Sequence, residues 1–560
     1  MRVHAKFTRN NNQEELYFVD PIKVLDESIS LNDALIEAEA AQKAGQYVVV
    51  MVDYESYDKS RESFKIGIFD APVSRERFMK DKEIGSFNLG PMKFTESREK
   101  SIENIEKVRD YIRDGHTYQA NYTTRMHGDF TGDAHSLFEA LVSNNNGGYT
   151  IFIEHEEKAI VSCSPELFFE INQERIVETR PMKGTAPRYD DANKDKKSYE
   201  FLRNSKKDQA ENVMIVDLLR NDISRISKPN TVKTPKLFTI EKYKTVFQMT
   251  STVVGELRDE LGLNEIFNAL FPCGSITGAP KIKTMEIIEE LETTERGIYC
   301  GAIGILYNDN TTVFNVPIRT LSIKDGQYTY AAGGGITYNS NSESEYEELL
   351  QKTKFLEQAD VTLIETMRID HGYVPRLDLH SARLSKSARH FNYGRVNLTH
   401  EVNDYVNDEM LLSGVYRLRA TFDRNGLKLV HDTVPPLKST NAKVLGPIEG
   451  ADDFLRHKTS IRYQYFGLTD DTPLILYYNN NHMITEFNIG NVVVYQNGTY
   501  YTPKSVEILN GVMRESLLQD GRLKFKDYSV DELKSLYQEE EIEVFLINSL
   551  REKIPVSLFF

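Results

Sequence analysis

Lys183 stands beside Gly184 in the segment Glu178-Thr-Arg-Pro-Met-Lys-Gly-Thr185, in a turn expected after a strand. A lysine held in a partly desolvated pocket loses pKa and becomes a usable nucleophile, whereas a lone turn lysine is usually solvated. Three carboxylates accompany it. Glu211 opens the stretch Ala210-Glu-Asn-Val-Met-Ile-Val-Asp-Leu-Leu-Arg-Asn-Asp222, where it reads either as a first-turn dipole partner or as a cation ligand. Glu345 and Glu348 are three apart in Ser344-Glu-Tyr-Glu-Glu348 and share a helix face. Mg²⁺ is held by one or two carboxylates plus substrate oxygens, and Glu211 with Glu348 could supply them. The segment Gly274-Ser-Ile-Thr-Gly-Ala-Pro-Lys281 fails the spacing of a phosphate loop, because Pro280 precedes the lysine. Arg319 leads towards Gly333-Gly-Gly335, and an arginine fork beside exposed glycine amides is a receptor for a dicarboxylate.

A different set follows. It comprises Leu377-Asp-Leu-His-Ser-Ala-Arg-Leu384, His457-Lys458-Thr459, Ile484-Thr-Glu-Phe-Asn-Ile-Gly-Asn491, Leu509-Asn-Gly-Val-Met-Arg514 and Ile547-Asn-Ser-Leu-Arg551. Pyridoxal phosphate needs a lysine for its Schiff base, an acid against the pyridine nitrogen and donors for the phosphate. Lys458, Glu486 and Arg383 suit those roles, with the amides of 511–513 completing a phosphate cup. Each of them alone is more often ordinary surface charge.

The elements that must position these residues follow from apolar spacing. Helices are expected over 32–43, 101–113, 210–220 and 343–356, with 210–220 apolar on nearly every side. Strands are expected over 46–52, 159–171, 174–180, 301–307, 312–323 and 327–332, the last ending in a glycine-rich turn. The pattern restarts after Glu357 with a strand over 362–369, a hairpin turn at His371-Gly372 and a helix from Ser381. A boundary near 358–360 gives two domains, 1–358 and 359–560, with no Pro/Gly/Ser linker between them.

The chain has 560 residues, 40% hydrophobic and 27% charged, which is ordinary globular composition. A net charge of −16 argues against a nucleic-acid binder, since phosphate contacts need a basic face. Cys163, Cys273 and Cys300 lack metal-ligand spacing, and the polar N-terminus lacks the apolar stretch of a signal peptide. A reduced, cytoplasmic protein is expected.

In order, the segments of the first half resemble the chorismate-utilising enzymes, the family of anthranilate, aminodeoxychorismate, isochorismate and salicylate synthases. The resemblance is strong over 100–357 and weak over the more variable 1–100. It implies that Glu211 and Glu348 hold Mg²⁺ with Glu345 close by, and that Arg319 grips a chorismate carboxylate. Tyr299, Gly333, Gly334 and Gly335 would line the same pocket, with Thr277 near the ring. Aminodeoxychorismate synthases carry lysine in Pro-Ile-Lys-Gly-Thr, where anthranilate synthases have alanine. The implied role of Lys183 is to attack ring C2 and displace the C4 hydroxyl, after which ammonia replaces the lysine at C4. Gln248 stands where several relatives have a histidine tied to elimination. No cysteine sits in a glutaminase elbow, so a glutamine amidotransferase partner or free ammonia is implied.

Residues 361–556 resemble the class IV pyridoxal-phosphate enzymes, among them branched-chain and D-amino-acid aminotransferases and aminodeoxychorismate lyase. The resemblance makes Lys458 the Schiff-base lysine and proton-transfer base, and Glu486 the partner of the pyridine nitrogen. Arg383, Val512 and Met513 would hold the phosphate, and Asn491 with Asn548 and Ser549 would line the site. The implied fold class is α+β / α/β: a large antiparallel β-sandwich with helices, then a two-subdomain class IV aminotransferase-like fold. Relatives of the second half are commonly dimers, so a homodimer is implied as well. Together the halves imply conversion of chorismate and ammonia to 4-amino-4-deoxychorismate, then loss of pyruvate to give 4-aminobenzoate for folate synthesis. The alternative is an anthranilate-type synthase with an aminotransferase-like or non-catalytic C-terminal module.

Overall fold

Runs of β-branched and aromatic residues build two ten-stranded sheets in the first half, every pairing antiparallel among the described residues. The computed structural model describes the whole chain except residues 10–11, 81–86, 145–146, 190, 243–245, 360, 392, 424–425, 449–451, 463, 470 and 505–507. The chain folds as two units, one of Met1–Glu83 with Phe87–Gln358 and another containing Ala359–Phe560. Asp360, at the edge of the expected boundary, lies outside the described residues. Among the described residues no helix is long and apolar enough to cross a membrane.

The two sheets of the first unit share an apolar layer. Val3, Ala5, Phe7, Ile151 and Ile153 from one sheet pack with Val49, Met51, Ile303 and Ile305 from the other. The opposite face of the second sheet is covered by the helices Leu31–Lys43, Lys206–Ser224 and Leu263–Leu270. The first sheet carries helices too, with Arg98–Arg113 and Lys281–Leu291 packed on Tyr122 and Ile336, so this is a sandwich with helices on both sheets.

Two strand expectations need correction. Residues 159–171 form two strands, Lys158–Ser164 in the first sheet and Leu167–Ile171 in the second. Likewise 312–323 divides into Thr312–Asn315 and Thr320–Lys324, again in different sheets. Pro165 and Pro317 lie in the two breaks, and a residue without an N–H interrupts a ladder there. The crossings are bonded to each other: Val316 N donates to Glu166 O (3.1 Å), Ser164 Oγ to Val316 O (2.6 Å) and Cys163 N to Arg319 O (3.1 Å).

Gly333, Gly334 and Gly335 are not in a turn. They continue the strand Gln327–Thr337, opposite Thr123, Tyr122 and Asn121 of Gln119–Gly132. A Cβ on Gly333 would lie 2.2 Å from Tyr122 O, so the close strand approach requires glycine. The helix at 210–220 is longer, Lys206–Ser224, and amphipathic rather than apolar all round. It buries Asn212, Ile215, Val216, Leu219 and Ile223 while Val213 and Asp217 face outward. The expected helices at 32–43, 101–113 and 343–356 appear as Leu31–Lys43, Arg98–Arg113 and Ser342–Thr353.

The second unit begins with a three-stranded antiparallel sheet of Leu363–Asp370, Val415–Asp423 and Gly426–Thr433, with the helices Leu377–His390 and Leu398–Asp408. His371 and Gly372 both have positive φ (50° and 82°), as a tight two-residue turn requires. A nine-stranded mixed sheet follows, with an apolar core of Leu476, Ile484, Val492, Val494, Val544 and Leu546.

Buried charge fastens the first sheet to the helix Lys281–Leu291. Glu292 accepts from Arg125 Nη2 (2.8 Å) and from Arg296 Nη2 (2.7 Å) and Nε (3.0 Å), with all three side chains less than 5% exposed. Removing one member of such a cluster strands unpaired charge and costs about 3–5 kcal/mol. Glu292→Ala should therefore lower the urea midpoint of the first unit's unfolding sharply, and an unchanged midpoint would show that the cluster contributes no net stability.

Candidate active sites

Lys183 lies on the strand Met182–Pro187, not in a turn, and a bulge determines where it points. Met182 pairs with Thr250 and Thr185 with Gln248, so Lys183 and Gly184 together oppose the single residue Met249. An extra residue of this kind re-aims a side chain. Gly184 has φ +85°, and a Cβ there would press to 2.9 Å on Asp208. The Lys183 amine ends against the glycine strand: Nζ is 3.5 Å from where a Cβ of Gly335 would be. Burial pushes its pKa down from the usual lysine value, opposed by Glu166, Glu211 and Glu348 and reinforced by Lys352.

Two of the expected carboxylates, Glu345 and Glu348, gather on the other side of the same strand. A Cβ on Gly334 would lie 3.6 Å from Glu345 Oε2, 3.8 Å from Glu348 Oε1 and 3.6 Å from Lys352 Nζ. Lys352 bonds Glu348 (2.8 Å) and Gly333 O (2.6 Å), and it holds the Glu348 carboxyl below its ordinary range. Burial raises Glu345 and Glu211, which also repel each other. Ser340 Oγ donates to Glu345 Oε1 at 2.6 Å. Glu211, Glu345 and Glu348 are not packed ligand to ligand. They are hard oxygen donors, Glu345 and Glu348 beside Gly334 and Glu211 within electrostatic reach of Glu345, a set that fits Mg²⁺ retaining waters and substrate oxygens.

Glu166 is the residue that sequence reasoning missed. It sits at the crossing between the sheets, 6% exposed, with Oε1 unbonded within the protein. Burial raises its pKa, against the Ser275 side chain and the Lys183 charge. In the middle of a single strand over 159–171 it would have no reason to face a site. The Ser-Pro-Glu sequence at 164–166 was the available signal, since proline in a central strand argues for a break.

The remaining expected residues divide. Half-buried Arg319 has φ +53° just before the strand Thr320–Lys324, with its guanidinium 6.0 Å from the Phe355 ring centre. Phe355 stacks on Tyr330 (6.2 Å), three residues before Gly333. Tyr299 is buried, and burial drives its hydroxyl far above the tyrosine range. Thr277 is fully buried, but its hydroxyl donates to the carbonyls of Cys273 and Gly274 (both 3.2 Å), a structural use. Gln119 lies between Thr277 and Lys183. Its carbonyl is 2.0 Å from a Cβ built on Gly278, and its Nε2 is 2.4 Å from one on Gly335. Gln248 accepts from Thr185 Oγ1 at 3.0 Å.

In the second unit the segment 362–364 pairs with 458–460. Ile364 N donates to Lys458 O and Ser460 N to Thr362 O, both 2.8 Å. Lys458 Nζ donates to Thr366 Oγ1 at 3.2 Å, and burial with nearby Arg383 lowers its pKa to about 7. Glu486, on the strand Ile484–Phe487, is 2% exposed and burial raises it to about 7. Its carboxyl accepts from Tyr465 Oη (2.8 Å), Leu509 N (3.2 Å) and Asn491 Nδ2 (3.4 Å). Asn491 also bonds Leu509 O (2.9 Å), and its Oδ1 lies 2.0 Å from where a Cβ of Gly511 would be. Gly511 caps the helix Val512–Gln519, whose first turn carries buried Val512 and Met513. Ser549 Oγ is buried and unbonded within the protein, while Asn548 is used on Ile489 O and on the amides of Leu550 and Arg551.

Arg383 differs from expectation. Its Nε and Nη2 fork the buried Glu365 carboxylate (2.8 and 2.6 Å), and Nη1 reaches Asn510 O (3.2 Å). The guanidinium is thus anchored beside the Val512 helix start, leaving a phosphate to be met chiefly by that first turn. A depressed lysine, a buried carboxyl and an open helix N-terminus suit pyridoxal phosphate.

Residues 33–358 match the family model described as chorismate binding enzyme. The chain belongs to the chorismate binding enzyme family.

Residues 469–559 match class IV amino-transferases. That match includes Glu486, Asn491, Val512 and Met513, whereas Lys458 and Arg383 precede it. Aminodeoxychorismate synthase component 1 of Escherichia coli is 42% identical over 256 residues, 46% of this chain and 56% of that protein. Anthranilate synthase component 1 of Saccharolobus solfataricus is 35% identical over 368 residues, 60% of this chain and 87% of that one. The chain spans little more than half the length of the Escherichia coli relative. Anthranilate synthase component I of Streptococcus pneumoniae aligns with TM-score 0.51 at 25% identity, over 63% of this chain and 89% of that one. The menaquinone-specific isochorismate synthase of Escherichia coli aligns with TM-score 0.55 at 17% identity, over 64% and 88%. The sandwich of this chorismate binding enzyme is thereby the family's fold.

The depressed amine of Lys458 has a pH signature. An amine titrating at about 7 is increasingly unprotonated as pH rises through neutrality, whereas an ordinary lysine needs about pH 10. Uptake of pyridoxal phosphate by cofactor-free protein, followed by absorbance, should accelerate up to about pH 8 and then level off. A rate still climbing near pH 10 would mean that the amine is not depressed.

Proposed function

We propose that the first unit aminates chorismate to 4-amino-4-deoxychorismate and that the second removes pyruvate from that product to give 4-aminobenzoate. The observation that carries the first step is the Lys183 amine, desolvated, aimed at the glycine strand and set near a buried carboxyl with an unbonded oxygen. In this reading the free amine bonds ring C2 as the C4 hydroxyl departs. Glu166, whose pKa burial raises, delivers the proton that lets it leave as water. Ammonia then bonds C4 and expels the lysine amine, so the sum is chorismate plus ammonia giving aminodeoxychorismate plus water. Mg²⁺ held by Glu211 and Glu348, with Glu345 beside them, would anchor and polarise a substrate carboxylate. Arg319 supplies a guanidinium for a second one.

The ammonia comes from elsewhere. All three cysteines are buried, and burial pushes their thiols up to about 12, so none is a glutaminase nucleophile. Relatives named component 1 imply a second component, and a glutamine amidotransferase is the partner proposed here.

In the second unit bound pyridoxal phosphate would supply an electron sink. Glu486, oriented by Tyr465, Leu509 N and Asn491, holds a proton at the pyridine nitrogen. Lys458, with its pKa near neutrality, is the base placed to take the ring proton whose loss accompanies pyruvate release. The likeness to anthranilate synthases favours a second reading, in which the first unit makes anthranilate; Lys183 distinguishes the two.

Full-length protein given chorismate, Mg²⁺, ammonium and pyridoxal phosphate should form 4-aminobenzoate. Lys183→Ala should abolish amination and leave the cofactor spectrum intact, Glu166→Gln should slow amination about 10²–10⁴-fold, and Lys458→Ala should accumulate aminodeoxychorismate. Anthranilate as the product would overturn the assignment of the first unit.

A further inference from the structure

We propose that His4, His135 and Glu139 form a binding site for one transition-metal cation of the zinc class, separate from the carboxylates of the chorismate site. His4 lies on the strand Arg2–Arg9, and His135 and Glu139 are four residues apart on the helix Ala134–Asn144. All three are buried, at 0%, 2% and 7% exposure.

Their donor atoms converge. His4 Nδ1 is 3.0 Å from His135 Nε2 and 3.4 Å from Glu139 Oε1, and His135 Nε2 is 3.8 Å from Glu139 Oε1. Tetrahedral zinc with bonds of roughly 2.0–2.2 Å needs donor atoms about 3.3–3.6 Å apart. The triangle is close to that size already, and small side-chain rotations make it regular.

The groups around the triangle point the same way. His4 Nε2 faces Glu15 Oε1 at 2.8 Å, and a carboxylate oxygen only accepts, so in a neutral imidazole the proton sits on Nε2. Nδ1 is then an acceptor, 3.0 Å from His135 Nε2, whose proton a cation would replace. A carboxylate fixing the far nitrogen of a ligating histidine is the usual support of a metal site. Glu15 is itself held by Tyr17 Oη (2.6 Å) and Lys6 Nζ (3.1 Å). Glu139 Oε1 lies 3.4 Å from His4 Nδ1 and adds the anionic donor that a divalent cation favours.

Tyr17 stacks on His4 at 4.3 Å, with Phe78 and Phe138 against the same ring and Phe152 against His135. An aromatic wall excludes water and raises the affinity of a satisfied site. Two imidazoles and one carboxylate select zinc and its neighbours over Mg²⁺ or Ca²⁺. The ion would clip the N-terminal strand to the helix Ala134–Asn144.

The test uses the full chain without a histidine tag, dialysed and then loaded with Zn²⁺ or Co²⁺. We expect about one zinc per chain by plasma mass spectrometry, and visible absorption from bound cobalt. Glu139→Gln, which preserves shape, and Glu15→Gln should each weaken binding about 10–100-fold, while Glu348→Gln leaves it unchanged. Circular dichroism checks that the variants fold. Less than about 0.1 zinc per chain after loading, or wild-type affinity in Glu139→Gln, would overturn the site and leave a hydrogen-bonded histidine pair.

Discussion

An amine must be buried near carboxylates without being neutralised by any of them, and much of the first unit is arranged around that constraint. A lysine in salt-bridge contact stays protonated and inert, whereas one in bulk water regains its ordinary pKa. Lys183 avoids both. The bulge at Lys183-Gly184 turns it inward, and its tip lies at van der Waals distance from where a Gly335 Cβ would be. Lys352 occupies the Glu348 carboxylate that could otherwise claim it. Glu166 attracts the amine more than any other carboxyl around it, while burial raises its own pKa. The paired chain crossings at Pro165 and Pro317 create the position that Glu166 occupies.

The second unit solves a related problem with other parts. Lys458 is brought to about 7 by burial and by Arg383, whose charge is in turn balanced by the Glu365 carboxylate it forks. Glu486 is brought to about 7 from the opposite direction by burial. Two groups with ordinary values far apart thus come to titrate near neutrality, where a proton moves between groups at little cost. The hydrogen bonds from Tyr465, Leu509 and Asn491 fix which way the Glu486 carboxyl faces.

Much of this was legible in the sequence. Lys183, Glu211, Glu345 and Glu348 stood out because their segments, taken in order, resemble the chorismate-utilising enzymes; each alone reads as solvated charge. The helices of the first unit were legible from apolar spacing. The sheet crossings were not, because a strand that leaves one sheet for another looks like one long apolar run, and this hid Glu166. The glycines at 333–335 read as a turn because glycine permits one, while here they serve close strand approach, a non-local demand. The use of Thr277 on backbone carbonyls and of Arg383 on Glu365 depends on partners that spacing cannot reveal.

Amination by this route requires Lys183 as a nucleophile, and intact-protein mass spectrometry tests that most directly. Protein incubated with chorismate and Mg²⁺ but no ammonia should gain the mass of chorismate less water, and peptide mapping should locate it on Lys183. Ammonium should then discharge the adduct. If no adduct forms and Lys183→Ala still aminates chorismate at the wild-type rate, the central claim is wrong and Lys183 is a structural residue of the glycine strand.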